Sequence, residues 1–223
     1  MGDIACSIVG ASRKRDNNDS LPFATVFLAE IPKDRDMDVP VSAMRQAEID
    51  AVENPGVKRQ KYWSWRLLDA ALRRAFGKDS DGMGVYRSQY GGLSADGVFI
   101  SLSHTDSACA VALSSEAVGV DIERTDRRGV AKLADRYLTG GELGVWERER
   151  PEDGERAFLR IWCAKEAAFK SEYSDAFAPS KLDSTLYPVR ICEIKIGEVP
   201  HIVALCSELH GSSGICEIDL LSE

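Results

Sequence analysis

The run IWCAKEAAFK, residues 161–170, constrains this chain more than any other stretch. Its apolar residues cover most of a helical circumference, so a helix here must pack on several sides at once. Three charges, Lys165, Glu166 and Lys170, interrupt it. Trp162, Glu166 and Lys170 stand four apart on one stripe, and Lys165 and Phe169 lie on the next, so the charges adjoin large apolar groups. An exposed Glu166–Lys170 pair would contribute only about 0.3–0.5 kcal/mol. In a dry or half-dry site the same charges would cost several kcal/mol unless partnered.

Other stretches offer candidate partners. In GVDIE, residues 119–123, strand alternation turns Val120 and Ile122 to one face and Asp121 and Glu123 to the other. The two carboxylates then project together about 6–7 Å apart, either as an ordinary solvated face or as a pair that a divalent cation can bridge. SLSHTDS places Ser103 and His104 at a strand end, where hydroxyl, imidazole and backbone amides can bind phosphate oxygens. Neighbours on a strand point apart, which disfavours a Ser103–His104 nucleophile pair. Lys58, Arg59, Lys61 and Arg66 crowd the early turns of an expected helix, with Arg73 and Arg74 beyond. Cations there oppose the helix dipole, which suits an anionic ligand or a solvated face. Together the carboxylates of residues 121, 123 and 166 and the lysines at 165 and 170 would match Mg²⁺ holding a diphosphate. His201 and His210 have no metal-ligand spacing and read as structural.

Organisation along the chain points to an α+β fold. A strand is expected within residues 21–31, and a helix runs from the Asn54-Pro55 start signal to Gly77. VFISLSHTDSACAVALSS reads as a hairpin, and AVGVDIERTDRR as a strand ending in charge. Two helical stretches follow, VAKLADRYL and GERAFLRIWCAKEAAFKSEY, with TGGELGVWERERPEDG between them. LYPVRICEIKIG, HIVALCSEL and GICEIDLL alternate as a three-strand antiparallel meander would. Two units result, residues 1–114 and 115–223, each with strands and packing helices.

Composition narrows the partners. With 223 residues, 44% of them hydrophobic, the chain can bury a core without staples. A formal charge of −8 argues against a nucleic-acid partner. Six dispersed cysteines with no C-x-x-C pair read as buried thiols in a reducing compartment. No apolar run approaches the ~18 residues of a membrane span, and the first residues lack a signal-peptide pattern, so a cytoplasmic, membrane-free protein is expected.

FISLSHT, VGVDIE and WCAKEAAFK, in that order, resemble the 4'-phosphopantetheinyl transferase superfamily, specifically its larger pseudo-dimeric type that activates surfactin synthetase and similar assembly lines. The likeness spans residues 56–190 in outline and includes RYLTGGE between the main motifs. It implies two similar α+β halves related by a pseudo-twofold, with the active site in the cleft between them. It also implies a Mg²⁺-dependent transfer of the phosphopantetheine arm of coenzyme A to a serine of an acyl or peptidyl carrier protein, releasing 3',5'-ADP, by a monomer. By resemblance, Asp121, Glu123 and Glu166 would be metal ligands, with Glu166 also a candidate base for the carrier serine. Lys165 and Lys170 would hold diphosphate oxygens, and Ser103 and His104 the 3'-phosphate of coenzyme A. Where many relatives carry Gly-Lys-Pro this chain has YGGLSADG, so Lys58, Arg59 or Lys61 would supply that contact. After Lys170 a glycine-rich turn is replaced by SEYSDAFAPSKL. Arg124, Arg127, Arg128, Lys132 and Arg136 form a basic patch that would suit an acidic carrier. The competing readings are a non-catalytic binder of coenzyme A or carrier, and a Mg²⁺-dependent phosphohydrolase.

Overall fold

The computed structural model describes residues 24–88, 92–172, 177–208 and 214–217. In chain order the elements are β1 (Thr25–Glu30), α1 (Ala43–Asp50), α2 (Pro55–Phe76), β2 (Tyr86–Arg87), β3 (Leu93–Ala95), β4 (Val98–His104), β5 (Ala108–Ser114) and β6 (Val118–Arg124). After a 3₁₀ turn at Ala131–Leu133 come α3 (Ala134–Tyr137), α4 (Gly140–Ser171), a second 3₁₀ turn at Ser184–Leu186, β7 (Val189–Ile196), β8 (Val199–Ser207) and β9 (Gly214–Glu217).

The long first-half helix forms where its signals stand. The Asn54 side chain accepts from the backbone N–H groups of Gly56 and Val57, at 2.9 and 3.1 Å, and Pro55 opens the helix. Gly77 closes it in the left-handed region at φ 73°. The stripe of Tyr62, Trp65, Leu68 and Leu72 is buried against β5, whose Cys109, Val111 and Leu113 face the helix. Strand alternation sends Ala108, Ala110 and Ala112 the other way, onto Val118, Val120 and Ile122 of β6. The far side of the β6–β8–β7 sheet packs against α4 through Ile191, Ile202, Ala204 and Cys206. The result is four layers: α2, a six-stranded sheet, a three-stranded sheet, α4. The α+β class and the β4–β5 hairpin match the expectation, the hairpin pairing Phe99 with Ser114 and His104 with Cys109.

Two local expectations are corrected. The third strand of the expected meander leaves its neighbours: β7 and β8 pair antiparallel, but β9 runs parallel beside β1 in the other sheet. β1 pairs with β5 on one edge and takes β9 on the other, and alternation alone does not say which edge a strand will fill. The stretch TGGELGVWERERPEDG is helical from Gly140, because Thr139 and Glu142 form a capping box whose signal outweighs the glycines. The break falls at Asp153, extended at φ −153°, whose side chain accepts from Arg156 N at 3.1 Å and restarts the helix. His210, Cys6 and the middle of the segment after Lys170 lie outside the described residues. Cys109, Cys163, Cys192 and Cys206 are buried free thiols, as expected of dispersed cysteines.

His201 proves structural. It is fully buried on β8, with Nδ1 2.9 Å from the Val199 carbonyl and Nε2 3.1 Å from Ser107 Oγ. Burial holds its pKa below the usual histidine value, against the bond to Val199. A neutral buried imidazole whose pKa rises on unfolding contributes stability that is lost as pH falls below about 6.5 toward the folded value. Urea unfolding at pH 7.5 and pH 5 is therefore expected to show a loss on acidification that is smaller in His201→Gln.

Candidate active site

The site is built where β6 and α4 touch. Gly119 makes this approach possible: a Cβ there would stand 1.9 Å from the Ala167 carbonyl oxygen and 2.6 Å from Ser171 N. Two residues on, Asp121 projects from the same face of the strand to α4 and is almost completely buried. Its Oδ1 receives Lys170 Nζ at 2.7 Å and the Ser103 hydroxyl at 2.7 Å. Its Oδ2 is buried and has no hydrogen-bond partner among the described residues. Glu166 lies one helical turn before Lys170, 3.8 Å from its ammonium.

The electrostatics show that these carboxylates feel one another. The Glu166 carboxyl is pushed up to about 7, first by burial and then by the negative charges of Asp121 and Glu123, with Lys170 opposing. Glu123 is raised as well, by burial and by Asp121, against a bidentate ion pair to Arg127 at 2.7 and 2.8 Å. Burial pulls the Lys170 ammonium down, but Asp121 and Glu166 outweigh it and hold its pKa above the ordinary lysine value. His104, on the β4 end, is held below its usual pKa by burial and then by Lys170, with Lys61 adding a smaller push in the same direction. Asp121, Glu123, Glu166, Lys170 and His104 thus share one electrostatic neighbourhood, with Lys61 at its margin.

Do these residues suit Mg²⁺? Among the described residues no three His, Cys, Asp or Glu groups close into a ready cation cage. Lys170 on Asp121 and Arg127 on Glu123 hold the side chains in their present places. A full cage is not what Mg²⁺ requires, because it typically takes one or two carboxylates and completes its shell with water and phosphate. A partnerless buried carboxylate oxygen beside two carboxyls of raised pKa is a hard, oxygen-only donor set, and it fits such an ion.

Other candidates take different places. Lys165, expected as a diphosphate ligand, is fully buried, and its ammonium pairs with Glu142 at 2.6 Å and donates to the carbonyls of Pro179, at 2.7 Å, and Leu182. With two carbonyls and a buried carboxylate around its ammonium, it holds the 179–182 segment rather than facing a substrate. Ser103 is also corrected: its buried hydroxyl is bound to Asp121, leaving His104 as the motif's candidate phosphate contact. Arg59 donates to the carbonyls of Pro32 and Arg35, tying down the segment before α1, and Lys58 pairs with Asp50 at 3.4 Å. Arg66 is largely buried on α2, with its Nε lacking a partner among the described residues. In the basic patch, Arg124 is engaged by Asp106 and Asp126, and Arg127 by Glu123.

Glu142 is the residue the sequence reading passed over. Its Oε2 receives Thr139 N at 2.8 Å, while its Oε1 receives Ser184 N at 2.8 Å and Ser184 Oγ at 2.7 Å. The capping-box spacing Thr139-x-x-Glu142 was a legible signal for the first bond, though not for the pairing with Lys165.

Fold and site define a class: a two-sheet α+β protein in which carboxylates and a lysine meet where the second sheet joins its outer helix. Residues 117–195 match the model of the 4'-phosphopantetheinyl transferase superfamily, so the superfamily resemblance carried by VGVDIE and WCAKEAAFK is borne out over this segment, which does not include FISLSHT. The chain is also similar to the proteins named 4'-phosphopantetheinyl transferase AcpT of Salmonella typhimurium and of Salmonella typhi, each 40% identical over 91 residues. Each of these matches covers 40% of this chain and spans about half, 47%, of the relative's length. No helix among the described residues is long and apolar enough to cross a membrane.

Proposed function

We propose that this protein transfers the 4'-phosphopantetheine arm of coenzyme A to a serine of an apo acyl or peptidyl carrier protein, with Mg²⁺ as cofactor. The observation that carries the reading is the cluster of Asp121, Glu123 and Glu166 around Lys170, with Asp121 Oδ2 buried and without a partner among the described residues. The superfamily match over residues 117–195 and the similarity to the two AcpT proteins support it.

In this reaction the carrier serine Oγ forms a bond to the β-phosphorus of coenzyme A. The bond from that phosphorus to the bridging oxygen breaks, and 3',5'-ADP leaves with the oxygen. Mg²⁺ bound to Asp121, Glu123 and Glu166 would neutralise charge on the diphosphate. Lys170, already among these carboxylates, contributes a cation to the diphosphate oxygens. Glu166, on the same helix stripe as Lys170 and 3.8 Å from its ammonium, is the candidate to take the serine proton, directly or through a water. His104 and the neighbouring Lys61 would receive the nucleotide's phosphate.

The larger, pseudo-dimeric form working as a cytoplasmic monomer is the type we favour. One chain supplies two sheets, each with its own outer helix, in line with halves at 1–114 and 115–223 across which β9 returns. The test is intact mass of apo acyl and peptidyl carriers after incubation with this protein, coenzyme A and Mg²⁺. A gain of one phosphopantetheine that EDTA abolishes is the expected result. Release of 3',5'-ADP from coenzyme A without any carrier would point to a phosphohydrolase. Bound coenzyme A with no modified carrier would leave a binding protein.

A further inference from the structure

Among the described residues β6 is an edge strand, bonded to β8 on one side, and its other edge is met by side chains of β4. Ser101 Oγ accepts from Val120 N at 3.0 Å, and two residues on Ser103 Oγ accepts from Ile122 N at 3.4 Å. Two serine hydroxyls thus stand in for a neighbouring strand and dock one sheet on the other. Ser103 does something more. Having accepted from Ile122, its hydroxyl donates to Asp121 Oδ1 at 2.7 Å, on the oxygen that Lys170 also occupies.

We propose that Ser103 is a positioning residue that fixes the Asp121 carboxylate so that Oδ2 is the oxygen offered to the cation. The proposal rests on the reading of the site as a metal-dependent transferase. The terminal torsion of an aspartate is broad and nearly two-fold, so its oxygens interchange easily unless one is pinned. Lys170 pins weakly, because an ammonium on a flexible stem follows whichever oxygen approaches. The Ser103 hydroxyl, held by backbone on a rigid strand, selects Oδ1 and leaves Oδ2 without a partner among the described residues.

The experiment measures Mn²⁺ binding to the full chain by the paramagnetic resonance signal of the free ion, alongside coenzyme A affinity by calorimetry. Loss of a group that orients a metal ligand weakens metal binding by about 10–100-fold, and Ser103→Ala is expected to fall in that range. Ser103→Thr, which keeps the hydroxyl, should restore binding. Ser103→Cys, a weaker donor, should fall between and serves if the alanine variant fails to fold. Ser101→Ala loses the same kind of strand-docking bond without touching Asp121, and it should bind Mn²⁺ as the parent does. Equal weakening in Ser101→Ala and Ser103→Ala would overturn the proposal in favour of sheet docking alone. Unchanged Mn²⁺ affinity with weakened coenzyme A binding in Ser103→Ala would overturn it in favour of a phosphate contact. A parent protein that modifies carrier while Ser103→Ala keeps full Mn²⁺ affinity would sink this inference alone. A parent that neither binds Mn²⁺ nor modifies carrier would sink the transferase reading with it.

Discussion

Lys165→Met is expected to lower folding stability by about 3–5 kcal/mol, the scale for breaking a buried ion pair by removing one partner. Lys165 and Glu142 are both fully buried and 2.6 Å apart. Without the ammonium, Glu142 keeps its bonds to Thr139 and Ser184 but carries an uncompensated charge in the interior. The carbonyls of Pro179 and Leu182 lose their donor at the same time. Removing both charges in Lys165→Met/Glu142→Leu should recover part of the loss, because a buried pair replaced by apolar groups of similar volume costs little. Urea unfolding of the single and double variants measures this. If Lys165 were instead a ligand of the diphosphate, the single variant would unfold like the parent and lose coenzyme A affinity.

Asp121→Asn is expected to reduce carrier modification by at least roughly 10²–10³-fold, the scale seen when one group is removed from a preorganised electrostatic site. The amide keeps the shape and can still accept from Ser103, so the β4–β6 junction is retained. What disappears is the negative charge that meets Lys170 and, in the proposed reaction, the cation. Rate against Mg²⁺ concentration, read by intact mass, checks the outcome. A variant with parental turnover at parental Mg²⁺ concentration would remove Asp121 from the ligand set. With Asp121 neutral, the Glu166 carboxyl should also titrate lower, since Asp121 is the strongest charge raising it.

Much of the site was legible because two periodicities expose it. Period two put Asp121 and Glu123 on one strand face, and spacing four put Glu166 and Lys170 on one helix stripe. The structure brings those two stripes together. Lys165 shows where the reading failed. It neighbours Glu166 in sequence, but adjacent helical residues are turned about 100° apart, so both cannot face one site. Its true partner is Glu142, 23 residues earlier by number, beyond the break at Asp153. Glu142 stands in the glycine- and charge-rich run at 139–154, where only the packing of the folded chain shows it to be buried.

By itself the sequence determined what local physical chemistry can dictate. The Asn54–Pro55 start and Gly77 stop of α2, the hairpin about residues 103–108, and the facing of Asp121 and Glu123 all follow from caps, turns and alternation. Only the tertiary structure decided that β9 crosses to β1, that Lys165 turns inward to Glu142, and that Ser103 reaches Asp121 rather than a ligand. Each of these depends on which surfaces dock, and docking is set by the summed burial and hydrogen bonding of residues far apart in the chain. Gly119 marks the transition between the two. Its missing side chain is written in the sequence, but its meaning, a helix seated directly on the strand beside Asp121, exists only once α4 and β6 have met.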